Sequence, residues 1–289
     1  MDGILLIDKK KGKTSRDVVN DVVKLLNTKK VGHTGTLDPI ATGVLVICVG
    51  RATKLVNLLT AQDKEYIASV TLGTLTDTLD SDGNIIKEEN VSLSDEEIIN
   101  AISSMKGSYL QEVPSYSAVK INGKKLYEYA RENIKVELPK RNVTIYEIEL
   151  ISDIERVFGK INFKFKCKVS KGTYIRSLIN DIAKKLNTIG IMTDLVRTKQ
   201  GKFNIKECID VSTVNCSSLI PTINILDDIL HIRVNDALKK DILNGKIIDD
   251  EYNVDRVLFI SEDNKALAIY KKYEKDNKKL KPEIMLGGI

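Results

Sequence analysis

Residues 160–169 alternate strictly between apolar and polar side chains, and this feature restricts the possible fold more than any other part of the sequence. The apolar positions are Ile161, Phe163, Phe165, Cys167 and Val169, and the positions between them carry four lysines and one asparagine. Successive side chains of a β-strand point to opposite faces, so this period of two predicts a strand with one buried face. The lysine row on the open face has two interpretations, a solvated edge strand that resists aggregation or a surface that faces phosphates.

The rest of the first two hundred residues mixes strand and helix patterns without a regular βαβ repeat. The predicted strands cover residues 43–49, 65–73, 142–150 and 160–169, and the predicted helices cover residues 14–27, 94–107 and 173–186. The second helix is expected to begin with a capping box of Ser94 and Glu97 and to stop at Gly107. This arrangement favours an α+β fold with a mixed, mostly antiparallel sheet flanked by helices.

The character of the sequence changes after Pro221, where short elements alternate with polar turns. We therefore predict a larger domain at residues 1–229 and a small, mostly β domain at residues 230–289. No apolar run approaches the length that crosses a bilayer, and the first ten residues do not resemble a signal peptide. The four cysteines form no CxxC pair, which predicts reduced thiols, no zinc site and a cytoplasmic protein.

Basic residues are concentrated in a few segments. The net charge is +5, which alone is weak evidence for a polyanionic partner. Residues 120–131 and 271–281 are both rich in lysine, in addition to the row at 160–169. Three basic segments on one chain favour an RNA or DNA partner.

The stretch from Val31 to Gly50 places one of only two histidines and several glycines around a single carboxylate, Asp38. Glycines let the backbone turn tightly and let a large substrate approach closely, and Pro39 keeps Asp38 out of the helical conformation. Asp38 is therefore the best candidate for a catalytic group. The alternative for Asp38 is an Asx turn that bonds nearby backbone amides, and the alternative for His33 is a structural histidine.

Sequence motifs typical of cofactor sites, metal sites and nucleophilic serines are missing. We find no GxxxxGK(S/T), GxGxxG, HExxH or GxSxG pattern and no acidic cluster at metal-ligand spacing. The chemistry is therefore expected to come from a sparse set of side chains without a cofactor.

The segment GHTGTLDPIATGVL, residues 32–45, is similar to the signature of the TruB-type tRNA pseudouridine synthases, which isomerise the uridine at position 55 of the tRNA T-loop. Four further blocks resemble the same family in the family's order. They are LLIDKKKGKTSRDVV, DKEYIASVTLGTLTDTLDSDG, VPSYSAVKINGKKLYEYAR and CKVSKGTYIRSLINDIAKKL. The resemblance covers roughly residues 3 to 200. One departure is Lys10, which stands where the family usually has a proline.

The resemblance implies a reaction in which a C–N glycosidic bond is broken and remade as a C–C bond to the same base, without cofactor, metal or energy source. It implies that Asp38 is the nucleophile and that Arg176 pairs with it, because an ionised carboxylate in a dry pocket needs a cationic partner. It also implies that Tyr66 stacks against the target base, where its hydroxyl can take part in proton transfer. From the residues alone, Arg176 could be a surface arginine and Tyr66 a core or edge-strand tyrosine.

Three further positions match residues that line or support the family's pocket. The resemblance implies that Tyr174 is a second pocket aromatic and that Leu195 supplies an apolar wall. It implies that Asp80 supports the site from behind, whereas the residues alone leave Asp80 open as a turn acid.

Three more positions match residues that meet the RNA. The resemblance implies that His33 enters the T-loop when the target base is flipped out, an event that costs a few kcal/mol. Lys9 and Lys54 match basic positions near the site and the RNA.

For the C-terminal domain, the resemblance implies a PUA-like module that grips the acceptor-stem side of tRNA through its backbone. The expected partner is tRNA, through its T-arm, with no membrane and no obligate protein partner. A binding protein that refolds the T-arm is one competing interpretation, but a pure binder has no use for a buried aspartate–arginine pair. A methyltransferase with a PUA module is another, and the missing glycine-rich cofactor loop counts against it.

Overall fold

A computed structural model of the chain describes residues 1–287. The strands of its larger part are β1 (Gly3–Lys9), β2 (Val31–His33), β3 (Thr42–Val49), β4 (Lys64–Leu72), β5 (Thr74–Thr76), β6 (Ile85–Glu88), β7 (Gly107–Glu112), β8 (Lys120–Ile121), β9 (Lys124–Lys125), β10 (Lys140–Leu150), β11 (Glu155–Val157), β12 (Lys160–Val169), β13 (Gly190–Gln200) and β14 (Phe203–Asn204). Its α-helices are α1 (Ser15–Leu25), α2 (Val56–Thr60), α3 (Asp95–Ser103), α4 (Leu126–Arg131) and α5 (Ile175–Lys185). Short 3-10 helices lie at Gly50–Leu55, Ile205–Glu207, Val211–Thr213, Cys216–Ser218 and Thr222–Asn224.

Ten strands form one sheet in the order β1–β3–β13–β4–β12–β10–β7, with β2, β11 and β14 paired at its margins. Strands β3 and β13 run parallel, whereas the other neighbouring pairs run antiparallel. The apolar faces of α1, α3 and α5 share one core cluster with the inner face of this sheet. The predicted α+β class, with a mixed and mostly antiparallel sheet flanked by helices, is confirmed.

Strand β12 has the predicted bounds and buries its predicted face. It lies inside the sheet between β4 and β10, so the edge-strand interpretation of its lysine row is wrong. Across the ladder, Lys168 lies opposite both Glu65 and Glu147, and Lys166 lies 3.2 Å from the Glu65 carboxylate. Lysines and glutamates therefore alternate on this face, and a phosphate backbone would meet both charges there.

The helix starts follow their capping residues. Thr14 caps α1 in a reciprocal box with Asp17, and Ser94 caps α3 in the predicted box with Glu97. Helix α3 ends at Ser103, four residues before the predicted stop, because the chain tightens into i to i−3 bonds there. The glycine expected to stop the helix instead begins β7, with a φ of +118°.

Strands β1 and β3 are buried on both faces, which explains the unbroken apolar run at residues 43–49. One face, with Leu5 and Leu45, lies in the core under the helices. The other face, with Ile4 and Val46, packs in a second cluster that includes Leu258 from the smaller part of the chain.

The smaller part contains the strands β15 (Leu230–Arg233), β16 (Ile248–Asp249), β17 (Arg256–Ile260), β18 (Ala266–Tyr273) and β19 (Asp276–Met285) and the helix α6 (Asp236–Leu243). The strands form a separate sheet in the order β15–β17–β18–β19–β16 around its own core cluster. This matches the expected small, mostly β, PUA-like fold. The domain boundary at residue 230 stays a prediction. The last two residues of the predicted small domain, 288 and 289, lie outside the described residues.

All four cysteines are free, and two of them, Cys48 and Cys167, are buried in the sheet. No helix within residues 1–287 combines the length and the apolar composition needed to cross a membrane.

Candidate active site

The loop that joins β2 to β3 is fixed by bonds to neighbouring segments. The Ser15 hydroxyl and the Leu37 backbone bond each other in both directions, at 2.8 and 3.2 Å, and tie the loop to the start of α1. The Gly12 amide donates to the Pro39 carbonyl at 2.8 Å. These bonds hold the residue between Leu37 and Pro39, Asp38, in a defined position at the mouth of a cavity.

Asp38 forms a two-bond pair with Arg176. The Arg176 Nε lies 3.0 Å from Asp38 Oδ2, and Nη2 donates to Asp38 Oδ1 at 3.2 Å. The arginine side chain is 4% exposed and the aspartate side chain 34% exposed, so the pair is buried on the arginine side and open on the aspartate side. Within residues 1–287 the Asp38 carboxylate bonds the arginine and not nearby amides, which rules out the Asx turn as its conformation.

Arg176 is held in place by more than its aspartate. Its Nη1 donates to the Thr78 carbonyl at 2.8 Å and its Nη2 donates to the Tyr116 carbonyl at 3.0 Å. It stands in the first turn of α5, where a cation is unfavourable to the helix dipole. The surface interpretation is wrong, because the guanidinium is buried among three chain segments that orient its donors.

Asp80 lies behind this pair, 3.7 Å from the Arg176 Nε. Its carboxylate accepts bonds from the Thr78 hydroxyl and the Asp82 amide. Burial raises the pKa of Asp80 above its ordinary value, although Thr78 and Arg176 act in the opposite direction. Asp80 thus shares the guanidinium from the inner side while Asp38 faces the cavity.

The cavity has a volume of about 590 Å³, and most of the predicted site residues line it. Its lining includes His33, Asp38, Tyr66, Tyr174, Arg176 and Leu195. Burial raises the pKa of the Tyr66 hydroxyl and of the Tyr174 hydroxyl, so both remain protonated at neutral pH. The cavity can hold a flat, planar group against aromatic and apolar walls with one carboxylate at its mouth.

His33 stands at the rim, where its Nδ1 accepts a 3.3 Å hydrogen bond from the Gly35 amide. Burial lowers the pKa of His33, and the charges of Arg16 and Arg197 lower it further. The ring is therefore neutral at pH 7 and can stack as a flat, uncharged group.

Two predicted RNA contacts lie elsewhere. Lys9 is fully buried, and its ammonium donates to the carbonyls of Pro39 and Ala41, so it supports the loop from within and cannot touch RNA in this conformation. Lys54 is exposed, but its ammonium bonds the Met285 carbonyl at 2.6 Å, next to the smaller sheet and outside the cavity lining.

The sequence interpretation missed Arg197, which is 1% exposed. Its Nε donates to the Val44 carbonyl at 2.6 Å and its Nη2 to the Gly35 carbonyl at 3.1 Å. The signal was available, because a period of two along β13 places Arg197 on the same face as Leu195.

A basic and aromatic segment, residues 116–131, forms part of the rim. Tyr116, Lys125 and Tyr127 line the cavity, and the Lys125 ammonium lies 5.3 Å from the Tyr127 ring centroid. The Arg131 guanidinium lies at the same distance from that ring. Sequence analysis noted the charge of this segment but not its place beside the site. No group of three His, Cys, Asp or Glu side chains within residues 1–287 could hold a metal ion.

Comparison with known proteins gives consistent results. Residues 23–175 match the family model described as TruB family pseudouridylate synthase, N-terminal domain. A protein of Bacillus pumilus named tRNA pseudouridine synthase B is 41% identical over 303 residues, covering 99% of this chain and 98% of the relative. A protein of the same name from Caldicellulosiruptor saccharolyticus is 46% identical over 246 residues, covering 85% of this chain and 83% of the relative.

Among solved structures, an H/ACA ribonucleoprotein bound to a substrate RNA containing 2′-deoxyuridine has a chain with a similar fold. The TM-score is 0.68 at 22% sequence identity, and the match covers 99% of this chain and 85% of that one. At this identity the likeness concerns the fold alone.

Proposed function

The chain belongs to the TruB family of pseudouridylate synthases, and from that premise we propose that it converts the uridine at position 55 of the tRNA T-loop to pseudouridine with Asp38 as the nucleophile. The observation that carries the proposal is the Asp38 carboxylate, which opens into an aromatic cavity while a buried Arg176 holds it from behind. The two bonds from Arg176 orient the carboxylate oxygens and place a positive charge beside them at the cavity.

The reaction balances within the substrate itself. The C1′–N1 bond breaks, the C1′–C5 bond forms, C5 loses a proton and N1 gains one. A carboxylate that attacks the sugar or the base, and a group that moves one proton, are sufficient. Asp38 supplies the first, and the Tyr66 hydroxyl on the cavity wall is available for the second.

The shape of the cavity supports a flipped nucleotide as substrate. Tyr66 and Leu195 belong to its walls, against which a planar base can stack, and a base within a folded loop reaches such a pocket only after it leaves its stack. The neutral ring of His33 lines the cavity, and we expect it to fill the space that the base vacates.

Two surfaces support recognition of the surrounding RNA. The rim segment 116–131 offers lysines and an arginine beside tyrosine rings, a combination suited to phosphates and exposed bases. We further propose that residues 230–289 form a PUA-like domain that grips the tRNA backbone, since lysines cluster where the end of β18 meets the first part of β19, at Lys271, Lys272, Lys278, Lys279 and Lys281.

A tRNA-folding chaperone remains the second candidate function, since a protein that flips a T-loop base must open the T-arm. The aspartate–arginine pair favours catalysis, because opening RNA does not require an ionised carboxylate in a pocket. The two functions separate in a variant that binds but does not react.

The test is incubation of the purified protein with an unmodified tRNA transcript, without added cofactor, followed by mapping of pseudouridine. We expect one pseudouridine, at position 55, and none in a matched transcript with cytidine there. Asp38→Asn is the matched protein control and should give no product. Product at another uridine would contradict the assigned position, and product from Asp38→Asn would contradict the assigned nucleophile.

A further inference from the structure

Two bulky apolar residues of the chain have a left-handed backbone. Within residues 1–287, eight non-glycine residues have a φ in this region, and they are Asn27, Leu79, Asn122, Asn133, Phe158, Asn187, Asn253 and Asn264. Asparagine tolerates this conformation because its short polar side chain can bond locally, whereas a bulky apolar side chain strains it. Leu79, with a φ of +63°, and Phe158, with a φ of +50°, are therefore the strained members of this set.

The conformation of Phe158 has a local explanation. Phe158 and Gly159 form the two-residue turn between β11 and β12, and Gly159 also has a positive φ, of +75°. Tight hairpin turns of this kind need left-handed residues at both positions. Leu79 lies in the longer connection between β5 and β6, residues 77–84, which imposes no such requirement. Strain without a local cause points to a role in the surrounding structure.

Leu79 separates two groups that meet the Arg176 guanidinium. On one side, the Thr78 carbonyl accepts a 2.8 Å bond from Arg176 Nη1. On the other side, the Asp80 carboxylate lies 3.7 Å from Arg176 Nε. Rotation about the N–Cα bond of residue 79 turns the Thr78 carbonyl relative to Asp80, because φ is one of the two soft dihedral angles between them. The φ of Leu79 therefore decides whether both groups can face one guanidinium.

The turn is fixed to the wall of the cavity that contains Asp38. The Met192 amide donates to the Leu79 carbonyl at 3.1 Å, and the Ser81 amide donates to the Met192 carbonyl at 3.0 Å. Met192 lines the cavity with Asp38, whereas Leu79 lines a separate cavity of about 270 Å³. Leu79 thus acts on the site only through the groups that its backbone places there.

We propose that Leu79 is a positioning residue for the isomerisation, a role that rests on the proposed function. Its left-handed backbone directs the Thr78 carbonyl and the Asp80 carboxylate onto Arg176, which in turn orients Asp38. The competing explanation is that Leu79 serves only to fill space with its apolar side chain. The two explanations make opposite demands on the residue type, since one needs a left-handed backbone and the other needs apolar volume.

Two substitutions separate these demands. Leu79→Asn favours the left-handed conformation but removes the apolar side chain. Leu79→Ile keeps the apolar volume, but its β-branch resists a positive φ. Phe158→Asn and Phe158→Ile are the matched controls, because they make the same changes at a left-handed residue whose side chain is 96% exposed.

The first test is made on the free enzyme, with arginine labelled with nitrogen-15 and the Nε–Hε resonance of Arg176 assigned by Arg176→Lys. Leu79→Ile should move this resonance and speed its exchange with water by about tenfold or more, since the bonds that hold the guanidinium loosen. Leu79→Asn and both Phe158 variants should leave it unchanged. An unchanged resonance in Leu79→Ile, or a changed one in Leu79→Asn, would overturn the proposal.

The second test measures single-turnover rate and tRNA affinity separately. Leu79→Ile should slow the chemical step by about 10-fold to 100-fold, the scale of a small misplacement of a reacting group, while the dissociation constant for tRNA stays within about threefold. Leu79→Asn should react at nearly the wild-type rate. The reverse order of the two variants would show that apolar volume is what matters, and equal losses in Leu79→Ile and Phe158→Ile would indicate a general effect on folding. Either result would overturn the proposal.

Two outcomes need separate treatment. If Leu79→Ile does not fold, Leu79→Asn decides, because loss of its rate or a change in its Arg176 resonance contradicts a role of the backbone alone. If wild-type protein does not modify tRNA, the proposed function fails, while the resonance measurement still decides whether Leu79 positions Arg176.

Discussion

At the scale of single residues, the pair of Asp38 and Arg176 sets the chemistry of the cavity. The arginine uses its donors on the aspartate and on two backbone carbonyls, so neither its charge nor its orientation can vary freely. Bidentate pairing of this kind adds direction to the electrostatic attraction. Two predictions at this scale follow from the geometry of the pair.

Asp38→Asn should reduce turnover by about 1,000-fold or more, since the amide cannot act as a nucleophile in its place. Affinity for tRNA should stay within about tenfold, because most affinity comes from phosphate contacts that this change leaves intact. Single-turnover assays and filter binding on the same preparation measure both quantities. Near-normal turnover would remove Asp38 from the reaction.

Arg176→Ala should also cut turnover strongly, because the Asp38 carboxylate loses the two bonds that orient it at the cavity. Arg176→Lys should restore only part of the activity, since one ammonium cannot make two parallel bonds and also reach the Thr78 and Tyr116 carbonyls. The rates of both variants are compared with wild type at saturating tRNA. Equal rates in all three proteins would contradict the role of the pair.

At the residue scale, the sequence named side chains that the fold brings together, although their roles stay predictions. Asp38, Tyr66 and Arg176 come from three distant segments, and the structure brings all three to one cavity. Lys9 misled the prediction because a lysine near a site suggests a phosphate contact, whereas this one bonds carbonyls inside the loop. Arg197 was missed because a charged residue on a strand suggests exposure.

At the scale of elements, close contact between β3 and β13 positions the loop that carries Asp38. Gly43 lies opposite Arg197 in the parallel ladder, with a φ of +95°. A Cβ at Gly43 would come within 2.4 Å of the Arg197 carbonyl oxygen. Only glycine allows the two strands to pair at this separation.

Gly43→Ala should therefore destabilise the protein by about 1–3 kcal/mol from backbone strain alone, and further through the overlap with β13. Gly32→Ala is the matched control in the same motif, since the nearest atom to its added Cβ is a Val56 methyl at an ordinary 3.5 Å. Urea denaturation of both variants measures the difference in the free energy of unfolding. Equal stability would show that the strands can shift apart without cost.

Element boundaries followed from the sequence where a local signal fixes them. The capping residues of α1 and α3 set both helix starts, and the alternation set β12. The end of α3 and the interior place of β12 depend on which segments pack beside them. Long-range pairing of that kind leaves no mark in a window of ten residues.

At the scale of the whole molecule, the two sheets share one apolar cluster across β1 and β3. Removal of residues 230–289 would expose that cluster, so truncation is a poor test of RNA binding by the smaller part. Substitution of exposed lysines avoids this problem.

Lys278→Ser combined with Lys279→Ser, on exposed positions of β19, should weaken binding of full-length tRNA and lower the slope of log affinity against log salt by about one for each lost phosphate contact. Lys184→Ser combined with Lys185→Ser is the control, because these lysines lie at the end of α5 away from the cavity. Turnover at saturation should stay unchanged in both. Identical salt slopes for the two variants would argue against a role of the smaller sheet in binding.

Stability should depend on pH in an unusual way above neutrality. Burial lowers the pKa of Lys9 and of Lys64 to about 8. Between pH 8 and 10.5 these two lysines bind more protons in the unfolded chain than in the folded one, so their contribution to the free energy of unfolding rises with pH. Burial raises the pKa of Cys48, Cys167 and Cys208 to about 12. Above pH 9 these thiols lose their protons in the unfolded chain but keep them in the folded one, so their contribution to the free energy of unfolding falls as the pH rises. The free energy of unfolding should therefore peak near pH 9.

Urea unfolding at half-unit steps from pH 7.5 to 11 measures this profile. Lys64→Met should lose part of the rising limb and keep the falling one. A steady fall from pH 7.5 onward in the wild type would contradict the lowered lysine pKa values.

Strands β1 and β3 are covered on both faces, and during synthesis their second face cannot be fully covered until the C-terminal part of the chain has been made. Their outer face, with Ile4 and Val46, is covered in part by Leu258 and Ile269, which leave the ribosome about 210 residues after β3. At usual rates of synthesis this part of the apolar face stays uncovered for roughly 10–40 s. A chaperone that binds apolar surface should therefore bind a ribosome-tethered chain of residues 1–229 better than a tethered full-length chain. Equal binding of the two chains would mean that another segment covers this face first.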